Sequence, residues 1–259
     1  AQVAAPDVKH LLRTDPAWGG VDPARWFDLG LAAYLLNPEE RDYGWPRLAA
    51  RWGDELERSS GNPGLLALEM AGALSGRLAG AQLSRLMRTL EMPLIPVLAD
   101  MEAAGIAVDL DAFAAFLREV QGELDRLTRD VYKAAGGEFN IRSSQQLAEL
   151  LFGTLGLPTG GKTKGGQTST AQDVLEKLSG RHPVVDAILE FRKLEKLRST
   201  YLEPLPRLVD NAGRIHTTFN RLATATGRLQ SSHPNLQIIP VLGDLGRRMR
   251  TCFTAAPGL

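Results

Sequence analysis

Leu110, Phe113, Leu117, Val120, Leu124, Leu127 and Val131 recur at intervals of three and four, with Arg, Asp and Glu between them, until Gly136 and Gly137 stop the run. That spacing lays the apolar side chains along one stripe of a helix, and Asp109 stands where an N-cap belongs. The pattern predicts one long amphipathic helix whose narrow stripe suits a single antiparallel partner. The segment from Pro183 to Leu202 has matching length and apolar spacing, so the two are expected to pair as a stalk. Between them the sequence predicts a short helix from Ser144 to Leu155, a glycine-rich loop GLPTGGKTKGGQTS, and a second short helix opened by Ser169 and Thr170.

On the N-terminal side, Asp22 and Pro23 have the chemistry of a helix start, and Trp26, Phe27, Leu29, Leu31, Leu35 and Leu36 follow before Asn37 and Pro38. A helix near residues 20–37 is predicted. Pro46 to Trp52 and Leu65 to Leu78 read as two more. Gln82 to Ala104 is helical in pattern but carries Pro93 and Pro96, each of which removes an internal hydrogen bond, so a kink or two helices are expected there. Past Pro206 the period changes. Arg214 to Asn220 alternates like a strand, and another strand is expected near Thr251 to Thr254. The fold class is mainly α, followed by a short β segment that reads as an incomplete sheet.

Composition narrows the function classes. With 44% hydrophobic and 23% charged residues the chain is neither disordered nor fibrous, and it contains no run approaching the roughly 20 apolar residues of a membrane span. Cys252, the single cysteine, can form no internal disulfide, which fits a reducing compartment. The net charge of zero conceals an asymmetry: residues 1–139 hold 14 Lys+Arg against 21 Asp+Glu (−7), and residues 140–259 hold 16 against 9 (+7). The second half therefore attracts polyanions. In its glycine-rich loop, Lys162 and Lys164 alternate with the hydroxyls of Thr163, Thr168, Ser169 and Thr170, a chemistry suited to touching phosphates. GKTKGG lacks the ordered GxxxxGK[ST] spacing of a nucleotide-binding P-loop. His10, His182, His216 and His233 show no metal-ligand spacing.

The densest polar motif is TATGRLQSSHPNLQIIP, residues 224–240. Thr226, Arg228, Gln230, Ser231, Ser232, His233, Asn235 and Gln237 offer hydrogen-bonding groups, while Leu229, Leu236, Ile238 and Ile239 tie the segment to a core. Such anchored polar groups suit the minor groove, where every base pair presents acceptors in nearly equivalent positions, so contacts there test pair shape and ignore base identity. ATATGRL, PNLQ, IP and GRRMR, in this order, resemble the family A DNA polymerases, the bacterial DNA polymerase I group. FNIRSSQQLAELLF (139–152), GLPTGGKTKGGQTST, LEKLRSTYLEPLP (194–206) and GRIHTTFN (213–220) are similar to successive thumb and palm segments of that family.

The resemblance implies an organisation and a set of roles. Residues 1–89 would be the end of a vestigial 3′–5′ exonuclease-like domain, 90–209 the thumb with its long-helix stalk, and 210–259 the first part of the palm. Asn140, Ser143, Ser144, Lys162 and Lys164 would lie against the duplex backbone, with Arg192, Lys196 and Arg198 near the thumb base. Arg228 would reach the minor groove at the primer terminus, Thr226 would be a further DNA-binding residue, and Asn235 and Gln237 would contact the template-side duplex. Ile238 and Leu242 depart from the family pattern NLQNIPVR and remove an Asn and an Arg. Asp7 would be a degenerate remnant of the nuclease metal site, with Leu66 and Met70 where Tyr and Asp are expected, so exonuclease activity is expected to be absent. After residue 210 the only acidic residue is Asp244, so no catalytic or metal-binding carboxylate pair is expected in this chain, which alone should not polymerise. The implied parent enzyme takes primer–template duplex DNA, deoxynucleotides and Mg²⁺, serves replication and repair in the bacterial cytoplasm at the nucleoid, needs fingers and the rest of the palm, and has no membrane partner. A stand-alone, non-catalytic module binding duplex nucleic acid or protein is the alternative.

Overall fold

Aspartates punctuate the N-terminal segment, and each opens a helical turn by accepting a backbone N–H: Asp7 from His10 at 2.9 Å, Asp15 from Ala17 at 2.9 Å, Asp22 from Ala24 at 3.0 Å and Asp28 from Leu31 at 2.8 Å. The computed structural model describes residues 2–53, 62–161, 168–240 and 243–255, and the chain is mainly helical with short strands. Two units are distinguished, residues 1–107 with 210–238 and residues 108–209 with 239–259.

In the first unit, β1 (Val3–Ala5) precedes α1 (Val8–Thr14), and 3-10 turns at Pro16–Gly20 and Pro23–Arg25 lead into β2 (Trp26–Asp28) and α2 (Leu29–Leu36). The expected single helix over 20–37 is thus two 3-10 turns, a strand and an eight-residue helix. Trp26, Phe27 and Asp28 are all buried, an unbroken inward run that belongs to a strand covered on both faces. Parallel pairing of Trp26 with Val3 and of Asp28 with Ala5 satisfies its backbone, and Asp28 then restarts the helix.

α3 (Trp45–Gly53) and α4 (Pro63–Gly80) appear where the pattern predicts them. Leu29, Ala32, Met70, Ala71 and Leu74, all without solvent exposure, form the centre of the core. α5 (Ser84–Leu86), a π turn (Met87–Glu91) and α6 (Met92–Ala104) follow one another without interruption. The two prolines therefore neither split nor end this helix. The wide turn, closed by Met92 N–H to Met87 C=O, stands immediately before Pro93, which then falls in a first-turn position where its missing N–H costs little.

β3 (Ile106–Val108) pairs antiparallel with β4 (Arg214–Ile215), and β5 (Thr218–Asn220) pairs antiparallel with β6 (Gln230–Ser232). The expected strand over 214–220 is broken because His216 turns to the Glu102 carbonyl and the Thr217 hydroxyl donates to the carbonyls of Ser232 and Pro234.

The second unit is built on α7 (Leu110–Ala135), capped by Asp109 and ended by Gly136 at φ 73°. Its buried face is Phe113, Phe116, Val120, Leu124, Leu127 and Val131. Phe116 takes the inward position expected of Leu117, about 100° around the helix from it, and Leu110 is 46% exposed. α8 (Ser144–Ala148) runs into a π turn (Glu149–Thr154), α9 (Gln172–Glu176) follows, and α10 (Pro183–Leu197) lies against α7 before a π turn over Arg198–Leu202. α11 (Gly243–Thr251) has no counterpart among the predicted elements. Arg248 from α11 grips the Glu119 carboxylate of α7 and stacks over Phe116 at 4.6 Å. β7 (Phe253–Thr254) is shorter than expected because Thr251 still belongs to the helix, and Phe253 meets Phe113 edge-on at 5.7 Å. Among the described residues no helix is long and apolar enough to cross a membrane.

Candidate nucleic-acid interface

The polar motif forms the end of the β5–β6 hairpin and the turn that follows it. Thr224 organises its first half: its carbonyl accepts the Gly227 N–H at 3.4 Å, its hydroxyl donates to the Arg228 carbonyl at 3.0 Å, and Gly227 takes φ 76°, which a side chain would resist. Thr226 and Arg228 are thereby left exposed at the tip, and the Arg228 guanidinium makes no hydrogen bond or ion pair to a described residue. A cation held on an ordered turn with its donors open is suited to an anionic or acceptor-rich surface.

The second half is organised around Ser231, 1% exposed. Its N–H donates to Gln237 Oε1 at 2.9 Å, its hydroxyl donates to Asn235 Oδ1 at 3.1 Å, and the same hydroxyl accepts the Leu236 N–H at 3.1 Å. Gln237 Nε2 donates to the Leu229 carbonyl at 2.9 Å. Asn235 and Gln237 thus brace the turn with part of each amide, and the Asn235 Nδ2 donors remain open among the described residues. The buried role of Ser231 is not visible in a sequence where it is one hydroxyl among several.

Below the hairpin lies a residue that the sequence reading missed. Glu102, with a fully buried side chain, receives Lys9 Nζ at 2.5 Å, Arg13 Nη1 at 2.8 Å and the Phe219 N–H at 2.7 Å, while Lys9 Nζ also reaches the Phe219 carbonyl at 2.5 Å. The signal was available, because Glu102 occupies the position where the period of Ile95, Leu98 and Ala99 calls for an apolar residue. Arg221 pairs with the Glu91 carboxylate and donates to its carbonyl at 2.6 Å, and burial pulls its pKa down to about 10. His216 bridges the Glu102 carbonyl at 2.8 Å and Asp210 at 3.1 Å, and these bonds, the carbonyl first, raise its pKa.

In the second unit, Asn140, Ser143 and Ser144 come together at the start of α8: Ser143 caps the helix, the Asn140 carboxamide oxygen accepts the Arg142 N–H at 3.0 Å, and Ser144 is exposed. Arg192 is turned inward, where its guanidinium donates to the Thr170 carbonyl at 2.6 Å and desolvation lowers its pKa. It holds the foot of the glycine-rich loop. Lys196 is exposed on α10. Arg198 is bound between Glu195 at 2.9 Å and Glu203 at 2.5 Å, and Arg142, not singled out from the sequence, adds a third link to Glu195 at 2.7 Å. The Arg198 hydrogen bond, with Arg142 behind it, holds the Glu195 carboxyl down at about 2. Lys162 and Lys164, like Leu242, lie outside the described residues.

The residues read from the sequence as a nuclease remnant are engaged in the fold. Asp7 caps α1, and Asp28 accepts N–H groups from Val8 and Leu31, both at 2.8 Å, beside a cavity of about 420 Å³ whose lining includes Lys9, Arg41 and Arg221. Burial, opposed by those two hydrogen bonds, raises the Asp28 pKa to about 7. Leu66 and Met70 pack in the core. Among the described residues no group of three or more His, Cys, Asp or Glu side chains is placed to hold a metal, and Asp244 is exposed and paired with Arg247. The residues present do not fit a pair of divalent cations.

Compared with known proteins, residues 110–259 match the model of the family described as DNA polymerase family A. The chain is 47% identical over 232 residues to a thermostable DNA polymerase I of Thermus thermophilus, an alignment covering 88% of this chain and 28% of the relative. It is 39% identical over 254 residues to DNA polymerase I of Treponema pallidum, covering 90% and 25% respectively. The solved POL domain of Pol1 from M. smegmatis, in complex with DNA primer-template and dNTP, superposes with a TM-score of 0.83 at 34% identity, covering 99% of this chain and 46% of that one. The chain thus spans about a quarter of the length of the curated relatives it matches.

Proposed function

Because the chain belongs to DNA polymerase family A, we propose that it is the duplex-gripping portion of a bacterial DNA-directed DNA polymerase, holding primer–template during nucleotide addition. Residues 1–89 serve as a degenerate exonuclease-like layer, 90–209 as the thumb and 210–259 as the opening of the palm. Arg228, exposed on a braced turn and without a partner among the described residues, is the observation that carries this reading. Its guanidinium, with Thr226 and the open Asn235 donors, reaches acceptors on the minor-groove edge, which occupy nearly the same place in every base pair. Asn140, Ser143, Ser144, Lys196 and the two loop lysines meet phosphates. Arg192 and Arg198 act from behind, fixing the loop foot and the end of α10 through the partners they already hold. Ile238, 53% exposed where the family pattern carries Asn, gives this chain one donor fewer beside the duplex.

Catalysis belongs to the intact enzyme, whose Mg²⁺ and deoxynucleotides need carboxylates that residues 211–259 do not supply, Asp244 being alone there. The degenerate nuclease layer is inactive because Asp7, the one carboxylate retained from its metal site, caps α1, and Leu66 and Met70 stand where the other groups are expected.

The test is fluorescence anisotropy of the chain with labelled primer–template across a salt series. Arg228→Ala should weaken binding about ten- to a hundred-fold, the range for a hydrogen-bonded charge. Replacing Lys162 and Lys164 by Ala should lower the slope of log K against log salt by about 1.8. Binding indifferent to both changes would overturn the proposal, and saturable binding of a protein ligand without DNA binding would favour a stand-alone interaction module.

A further inference from the structure

The turn that presents Arg228 is tied down from the exonuclease-like layer. Along the strand leading into it, Lys9 holds the Phe219 carbonyl, Glu91 holds Arg221, and Leu222 packs into the N-terminal core. The last tie before the tip is Tyr34, a buried residue of α2 whose hydroxyl donates to the Thr224 carbonyl at 2.8 Å. The same carbonyl closes the Thr224–Gly227 turn, and the Thr224 hydroxyl fixes the Arg228 carbonyl. One residue, Thr224, therefore joins the N-terminal core to the backbone of Arg228 within two hydrogen bonds.

Resting on the duplex-gripping function above, we infer that Tyr34 is a positioning residue for Arg228, and that the degenerate nuclease layer is the template on which the primer-facing turn is set. The ring is itself fixed. It meets Tyr43 edge-on, 5.6 Å between centroids, and Tyr43 donates its own hydroxyl to the Asn37 carbonyl at 2.6 Å. A rigid donor aimed at a turn carbonyl restricts the turn before DNA arrives, so less conformational freedom is lost on binding. Without that donor the Thr224 carbonyl keeps, among the described residues, only the 3.4 Å bond from Gly227, and the tip can sample other arrangements.

The pair of tyrosines provides its own control. Tyr34→Phe and Tyr43→Phe each delete one buried hydroxyl donor and keep the aromatic contact, yet only the first reaches the turn. In the anisotropy assay with labelled primer–template, Tyr34→Phe should weaken binding about two- to ten-fold, the effect of one hydrogen bond. Tyr43→Phe should bind like the parent chain while lowering the melting temperature to a similar degree. In an Arg228→Ala background, Tyr34→Phe should have no further effect, because its influence runs through Arg228. Parent-like binding by Tyr34→Phe, or equal weakening with and without Arg228, would overturn the inference and leave the function standing. If Arg228→Ala itself binds like the parent chain, the minor-groove role fails first and the role of Tyr34 falls with it.

Discussion

Glu102 and Asp28 are both carboxylates with almost no exposure, 1% and 4%, and they are satisfied in different ways. Glu102 meets two cations and a backbone N–H, so its charge is matched where it sits. Asp28 has two backbone N–H groups but, among the described residues, no cation hydrogen-bonded to it, and desolvation outweighs those bonds, raising its pKa from 3.8 to about 7. Between these values the folded chain retains a proton that the unfolded chain releases. The contribution of Asp28 is therefore complete below pH ~4 and is lost as pH rises through about 7. Asp28→Asn removes the titration along with one acceptor. Its stability penalty in urea unfolding should be larger at pH 4.5 than at pH 8. An equal penalty at both pH values would show that the group titrates at its ordinary value.

The elements divide according to how much of their cause is local. α7 was legible almost to the residue because its stripe, its aspartate cap and its glycine stop are all encoded within its own span. Removing the cap with Asp109→Ala should destabilise the helix by about 1 kcal/mol, visible as roughly five-fold faster amide exchange in its first turns. Unchanged exchange there would mean that packing alone holds that end. β2 was misread because its partner, β1, lies more than twenty residues upstream and only pairing distinguishes its apolar run from a helix. α11 escaped because GRRMR offers a single apolar side chain, Met249, and its place depends on Arg248 meeting Glu119. The surface half of the candidate interface, Arg228 and Thr226, could be read from the motif. Its buried half could not, because Tyr34, Glu102 and Ser231 act through partners distant in sequence or indistinguishable by type.

For the whole molecule, separate readings agree on a division of labour. The charge balance makes residues 140–259 the electropositive half, and these hold most of the groups assigned to the duplex. The acidic half supplies core and anchors, among them Tyr34 and Glu102. A chain that grips without a carboxylate pair should give no primer extension when supplied with Mg²⁺ and deoxynucleotides, at protein concentrations where anisotropy shows the duplex saturated. Any templated product from a pure sample would overturn the assignment of catalysis to the intact enzyme. The π turn at Met87–Glu91 also sets where this part of the molecule is sensitive to chain length. Deleting one residue within the turn would only return it to regular α geometry and keep the phase, whereas deleting one within α6 ahead of Glu102 would set Glu102 back by about 100°. Glu102 would then swing away from Lys9, Arg13 and Phe219. The irregular turn acts as slack, absorbing one residue without changing which face of α6 arrives beneath the hairpin.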